Sequence, residues 1–96
     1  MNTAVLKFGG DVVADTAMLL AVLRDVQVLA AEGWRFVLVH GGGPQASALQ
    51  ARLGLQTRKV AGRRVTDEST LQVMTQILAG EVSVTVLAAA RATNLR

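Results

Sequence analysis

Two glycine clusters, and the cations set around them, carry most of the chemistry this sequence offers. Gly9-Gly10 closes the run "VLKF" with Lys7 inside it, and Gly41-Gly42-Gly43 follows "FVLVH" and leads into Pro44. Glycines between a strand and a helix let backbone N–H groups approach an anion closely, with no Cβ in the way. The positive end of the following helix adds to the attraction. Neither cluster has the spacing G-x-G-x-x-G, and neither is the phosphate loop G-x-x-x-x-G-K-[ST]. A single glycine-rich turn is most simply a tight turn. Two at the ends of consecutive strands point towards a ligand, because ligands in α/β folds sit outside the carboxyl ends of the strands.

Lys7 lies near the end of an otherwise apolar strand, where a charged side chain must emerge at an edge or find a partner. It can pair with Asp11, or it can offset negative charge developing on a transferring phosphoryl group. His40 ends the second strand with no Asp or Glu beside it in sequence, which suits a hydrogen-bonded structural histidine better than a base. Arg63 and Arg64 precede "VTDEST", and an arginine fork can hold a carboxylate bidentately. Sequence leaves open which of the two points inward. Asp67 is most simply a helix N-cap.

These residues must be positioned by the elements around them. Ala4–Phe8 is expected to be a buried strand, and Asp15 or Thr16 to cap a helix. The apolar positions of that helix are Leu19, Leu20, Val22, Leu23, Val26 and Leu29, with Gly33 as its stop. Arg35–His40 follows as a second strand, of the near-continuous apolar kind that parallel sheets bury on both faces. This makes one βαβ unit, with a right-handed crossover expected. Pro44 opens a helix running to about Leu53 and stopping at Gly54. Leu55–Val65 is expected to be a β-hairpin or an extended loop. Asp67 then caps a helix from Glu68 to Gly80 with Leu71, Met74, Ile77 and Leu78 on one face. In Glu81–Thr93, "EVSVTV" alternates like a strand while "LAAARAT" has helix composition; helix is favoured.

Bulk properties narrow the classes further. A chain of 96 residues is one domain at most, and a domain of that size hides only roughly 60–65% of the surface its unfolded chain exposes. With 51% of its residues apolar, it carries more apolar surface than one small core takes, so a neighbour or a second copy is expected. Cysteine is absent and His40 is alone, which excludes disulfides and thiolate or histidine metal clusters. No unbroken apolar run approaches the roughly 18 residues that span a bilayer, and the start lacks a signal-peptide pattern. The expectation is a cytoplasmic protein that binds no membrane. Of the net charge of +3, the excess falls in "RKVAGRR". One Trp, two Phe and no Tyr offer few stacking platforms for bases. No nucleic-acid partner is therefore expected, and a basic turn holding a small anion is.

Taken together and in register, "VLKFGG", "LVHGGGPQ" and "GRRVTDESTLQVM" resemble the amino-acid kinase family across nearly all of the chain. The resemblance implies an α/β fold, a three-layer αβα sandwich around an open, mainly parallel sheet. Within that family it is closest to the branch that transfers a phosphoryl group from ATP, with Mg, to the side-chain carboxylate of N-acetyl-L-glutamate in arginine biosynthesis. Carried over by position, Lys7 would stabilise the moving phosphoryl group, and Gly9 and Gly10 would approach the ATP phosphates. Gly41 and Gly42 would bind phosphoryl and acyl-amino-acid oxygens, and Arg64 would grip the substrate's α-carboxylate. Arg63 stands where the family pattern has an apolar residue. Residues 1–96 would form an N-terminal, acyl-amino-acid-binding portion, with the nucleotide-binding half, its second lysine and its aspartate absent, so the chain alone is expected to be inactive. A homodimer is expected, without the extra N-terminal helix that builds hexamers and without arginine feedback. The rival readings are a kinase for another acyl amino acid, such as an aminoadipate derivative, and a non-catalytic anion-binding or assembly module.

Overall fold

The structure is a computed structural model and describes residues 2–55, 59–64 and 66–95. Strand β1 (Thr3–Phe8) and strand β2 (Arg35–His40) pair in parallel, from Thr3 opposite Arg35 to Phe8 opposite His40. Between them run a short helix α1 (Gly10–Ala14) and the long helix α2 (Thr16–Ala31). Of the two candidate caps for α2, Asp15 takes the role, its carboxylate accepting from the Met18 N–H at 3.1 Å. Gly33 ends the helix at φ +101°, a left-handed conformation that only glycine adopts without cost. The α/β class and the parallel βαβ unit agree with the sequence. Helix α1 has no counterpart in the sequence-based assignment; it forms where the Gly9 carbonyl accepts from the N–H groups of Val12 and Val13.

Burial of the strands corrects one expectation. Alternate residues face opposite ways: Phe8 is buried, and Leu6 and Leu38 pack against the core. Val5, Val37 and Val39, on the other side, are 71%, 52% and 41% exposed. An apolar run is buried on both faces only where both carry helices, and among the described residues helices cover one.

Helix α3 (Gly43–Arg52) begins on the Gly42 cap with Pro44 in its first turn, and Gly54 follows it at φ +73°. Strands β3 (Lys59–Val60) and β4 (Arg63–Arg64) form an antiparallel hairpin, closed by Ala61 and Gly62 at φ +52° and +79°. Two positive φ values define the tight turn whose twist matches a hairpin. Of the expected segment Leu55–Val65, residues 56–58 and 65 lie outside the described residues.

A single helical stretch of 25 residues closes the chain. It comprises α4 (Glu68–Thr75), a π-helical segment (Gln76–Val82) and α5 (Ser83–Ala92). Asp67 caps it by accepting from the Thr70 N–H at 2.8 Å, and "EVSVTV" is helical. Its inward stripe is Thr70, Val73, Ile77, Val82 and Val86, whereas Leu71, expected inside, is 57% exposed. Polar Thr70 takes the inward phase because it has a buried partner, described below. By length and composition this stretch could cross a membrane; here its stripe packs on Phe8, Val13, Leu19, Leu23 and Ala46 to make the core. Full burial of such a Leu or Val side chain is worth about 1.5–3 kcal/mol, so this seam holds the helices to the strand pair.

Candidate functional site

Helices α1 and α3 both start at the carboxyl ends of the paired strands, and the turns that precede them touch. A Cβ built on Gly10 would lie 2.5 Å from Gln45 Oε1, 2.9 Å from Pro44 Cδ and 3.0 Å from the Cα of Gly42. One on Gly41 would lie 3.3 Å from the Gly10 nitrogen and 3.5 Å from the Gly9 Cα. The Gly41 N–H donates to the Phe8 carbonyl at 3.0 Å, continuing the strand pairing into the turn. Gln45 Nε2 donates to the Gly10 carbonyl at 2.8 Å, tying α3 to the first turn. Among the described residues the Oε1 of the same amide is buried without a hydrogen-bond partner. Gly9, Gly10, Gly41 and Gly42 are thus brought into one junction, where the positive ends of two helices meet.

From the other side, the π segment closes on this junction. A Cβ on Gly42 would lie 2.8 Å from Leu78 Cδ2, 3.3 Å from Val82 Cγ2 and 3.4 Å from Ile77 Cγ2. Ile77 and Val82 are both buried. In an α-helix, residues five apart are turned about 140° from one another. Hydrogen bonding from i to i+5 brings them over the same face instead, which is how both reach Gly42.

The hairpin decides between the two arginines. Arg63 is exposed, whereas Arg64 is partly buried and turns its guanidinium onto α3. Its Nη2 donates to the Gly43 carbonyl at 3.1 Å and to Ser47 Oγ at 2.9 Å. Its Nη1 donates to Gln50 Oε1. Three of a guanidinium's five N–H donors are engaged in this way among the described residues. The cation is therefore fixed beside the third glycine of the second cluster, with donors left for an anion.

Lys7 is exposed at the end of β1 on the uncovered face of the sheet, opposite Val39 in the register. His40 Nδ1 donates to the Gly41 carbonyl at 3.1 Å; a carbonyl only accepts, so this nitrogen carries the proton, and the ring braces the turn. Among the described residues no three His, Asp or Glu side chains gather as a metal site would need. What gathers is a cation, two helix amino-termini and close-packed glycine backbone, a set suited to an anionic ligand.

Residues 2–96 match the sequence model of the amino acid kinase family. The chain belongs to that family. An acetylglutamate kinase of Anaeromyxobacter dehalogenans (strain 2CP-C) is 56% identical over 85 residues, or 88% of this chain and 31% of the relative. Another, of Sorangium cellulosum (strain So ce56), is 48% identical over 93 residues, or 96% of this chain and 32% of the relative. The chain spans about a third of the length of these kinases. Among solved structures, N-acetylglutamate synthase of Neisseria gonorrhoeae, complexed with coenzyme A and N-acetyl-glutamate, matches with a TM-score of 0.75 at 32% identity. The match covers 95% of this chain and 21% of that one.

In this member of the amino acid kinase family, the side chains that hold the arginine and the turns, Gln45, Ser47 and Gln50, with Thr70 behind Gln50, carry no motif in the sequence. One signal was available. Ala46 and Gln50 are one helical turn apart and both buried, so a polar residue stood at an inward phase of α3.

Proposed function

We propose that the chain forms the acyl-amino-acid-binding portion of an acetylglutamate kinase, in which ATP phosphorylates the side-chain carboxylate of N-acetyl-L-glutamate in arginine biosynthesis. The observation that carries this is the inward Arg64, held by Gly43, Ser47 and Gln50 at the edge of the glycine junction. A charge-assisted contact from a fixed guanidinium suits the α-carboxylate of such a substrate. Gly41 and Gly42 would receive acyl-amino-acid and phosphoryl oxygens against the amino-terminus of α3, and Gly9 and Gly10 the phosphates of ATP. Lys7 would place its charge near the phosphoryl group in flight. ATP, with Mg on its phosphates, supplies that group; this chain's residues position the acceptor carboxylate and offset charge. In this reading the protein works in the cytoplasm as a homodimer. The outward residues Leu71, Val84 and Leu87, which are 57%, 63% and 62% exposed, supply the apolar surface for a two-fold contact.

Calorimetry of the 96-residue chain with N-acetyl-L-glutamate, an N-acylated aminoadipate and ATP tests the assignment. Binding of N-acetyl-L-glutamate that Arg64→Ala weakens by about tenfold or more is the expected result. Preference for the aminoadipate compound would move the protein to a kinase of that acceptor. Absence of binding to either acyl amino acid would overturn the assignment.

A further inference from the structure

The geometry points to Gln50 as the positioning residue for Arg64, a side chain that sets where the guanidinium sits without meeting the ligand itself. Gln50 is 1% exposed, on the face of α3 where an apolar residue would pack without penalty. Burying a primary amide is unfavourable unless its oxygen and its NH₂ group both find partners. Both ends do. The Oε1 accepts from Arg64 Nη1, and the Nε2 donates to Thr70 Oγ1 at 3.1 Å. Thr70 is itself buried, and its N–H is held by the Asp67 cap at 2.8 Å. A chain of hydrogen bonds therefore runs from the start of α4, through the last turn of α3, to the hairpin cation.

The contacts of Arg64 divide unequally. Ser47 and the Gly43 carbonyl share Nη2, near the first turn of α3, while among the described residues Gln50 alone engages Nη1. A planar fork is held most firmly when both of its terminal nitrogens are engaged. Without Gln50 the guanidinium keeps the Nη2 contacts but loses the one on its other arm, so that Nη1 and the remaining N–H donors are held less firmly. The acceptor must also be neutral. A carboxylate at this position would hold the guanidinium as firmly while cancelling the charge that attracts an anion. An amide orients the cation and leaves it charged.

This inference rests on the assignment of Arg64 to an acyl amino acid's carboxylate, but its first test needs no ligand. In the full chain, the side-chain ¹⁵N–¹H signals of Arg64 are expected to be resolved and slow to exchange in the wild type. The Nη1 signals should move towards the fast-exchanging arginine average in Gln50→Leu, and all should persist in Gln50→Glu. Titration with N-acetyl-L-glutamate should then separate the variants. Gln50→Leu should bind about tenfold more weakly, the scale of one misaligned charged hydrogen bond, and Gln50→Glu should also lose affinity although its guanidinium stays fixed. Gln50→Met serves if the leucine variant fails to fold. Unchanged Arg64 signals in Gln50→Leu or Gln50→Met would overturn the proposal, as would unchanged affinity in a folded variant. A wild-type chain that binds no acyl amino acid would overturn the ligand assignment, while the Arg64 signals would still decide the role of Gln50.

Discussion

Replacing Gly10 with alanine is expected to destabilise the chain more than the same change at any other glycine of the two turns. The new Cβ would lie 3.0 Å from the Cα of Gly42 and 2.9 Å from a proline ring carbon, besides 2.5 Å from Gln45 Oε1. The amide can swing away, but a backbone carbon and a ring at the first turn of α3 cannot move without separating the two turns. Overpacking costs about 1–3 kcal/mol, and a clash with backbone belongs at the upper end, about 2–3 kcal/mol. For a domain of this size that corresponds to a fall in Tm of roughly 10–20 °C. Gly41→Ala, whose nearest contact is 3.3 Å, needs shifts of a few tenths of an ångström and should cost within about 1 kcal/mol. Gly42→Ala falls between, because its closest contact is the movable end of Leu78. Gly80→Ala is the control: among the described residues nothing outside its own helix backbone lies within 4 Å of its Cβ, and alanine in a helix is favoured over glycine by about 0.5–1 kcal/mol. Melting curves by circular dichroism read all four. If Gly10→Ala melted with the wild type while Gly80→Ala rose as expected, the direct contact between the turns would be wrong. The glycines would then answer to a ligand alone.

Three further outcomes can be checked. Arg64→Ala should weaken N-acetyl-L-glutamate binding by about 1.5–3 kcal/mol, the range for a charged hydrogen bond, and exposed Arg63→Ala by little; calorimetry giving equal losses would invalidate the register of the hairpin. Ala61 holds φ +52° in the hairpin turn, a conformation costing a non-glycine residue about 1–2 kcal/mol. Ala61→Gly should therefore raise the urea midpoint, and a lowered midpoint would contradict the turn geometry. Leu87→Glu puts a charge on the outward face of α5 and should convert a dimer to monomer in sedimentation; an unaltered dimer would place the contact elsewhere.

Local signals carried much of the fold into the sequence. Asp15 and Asp67 cap helices through contacts three residues away, and Gly33 and Gly54 end helices by a conformation that side chains disfavour. All four are legible because cause and effect lie within one turn of chain. The two glycine turns were legible as candidates for the same reason. Their direct packing was not, since it joins residues more than 30 positions apart. Which arginine points inward depends on which face of β4 meets α3, and adjacent strand residues always face opposite ways. Gln50 was hidden because a helical period marks it as misplaced unless its partners, Arg64 and Thr70, are known. The burial of Val37 and Val39 was misjudged because apolar composition shows what a strand can bury, not how many layers lie over it.

The π segment changes the spacing of the residues that the closing helix buries. The buried positions Val73, Ile77, Val82 and Val86 step by four, five and four, so the 3.6-residue period of an α-helix does not carry through the middle step. A regular helix can repeat steps of four, and the middle interval holds one residue too many. The segment therefore acts as an expansion joint, absorbing a surplus residue while the helix on either side keeps its angular phase against the core. Deleting Gly80 should close the joint into ordinary α-helix with Val82 and Val86 still inward and Leu87 still outward. Only the packing over Gly42 should alter. Amide chemical shifts of such a variant would show changes confined to the Gly41–Gly43 turn and its neighbours, and shifts spread through α5 would mean that the two halves of the helix are geared together after all.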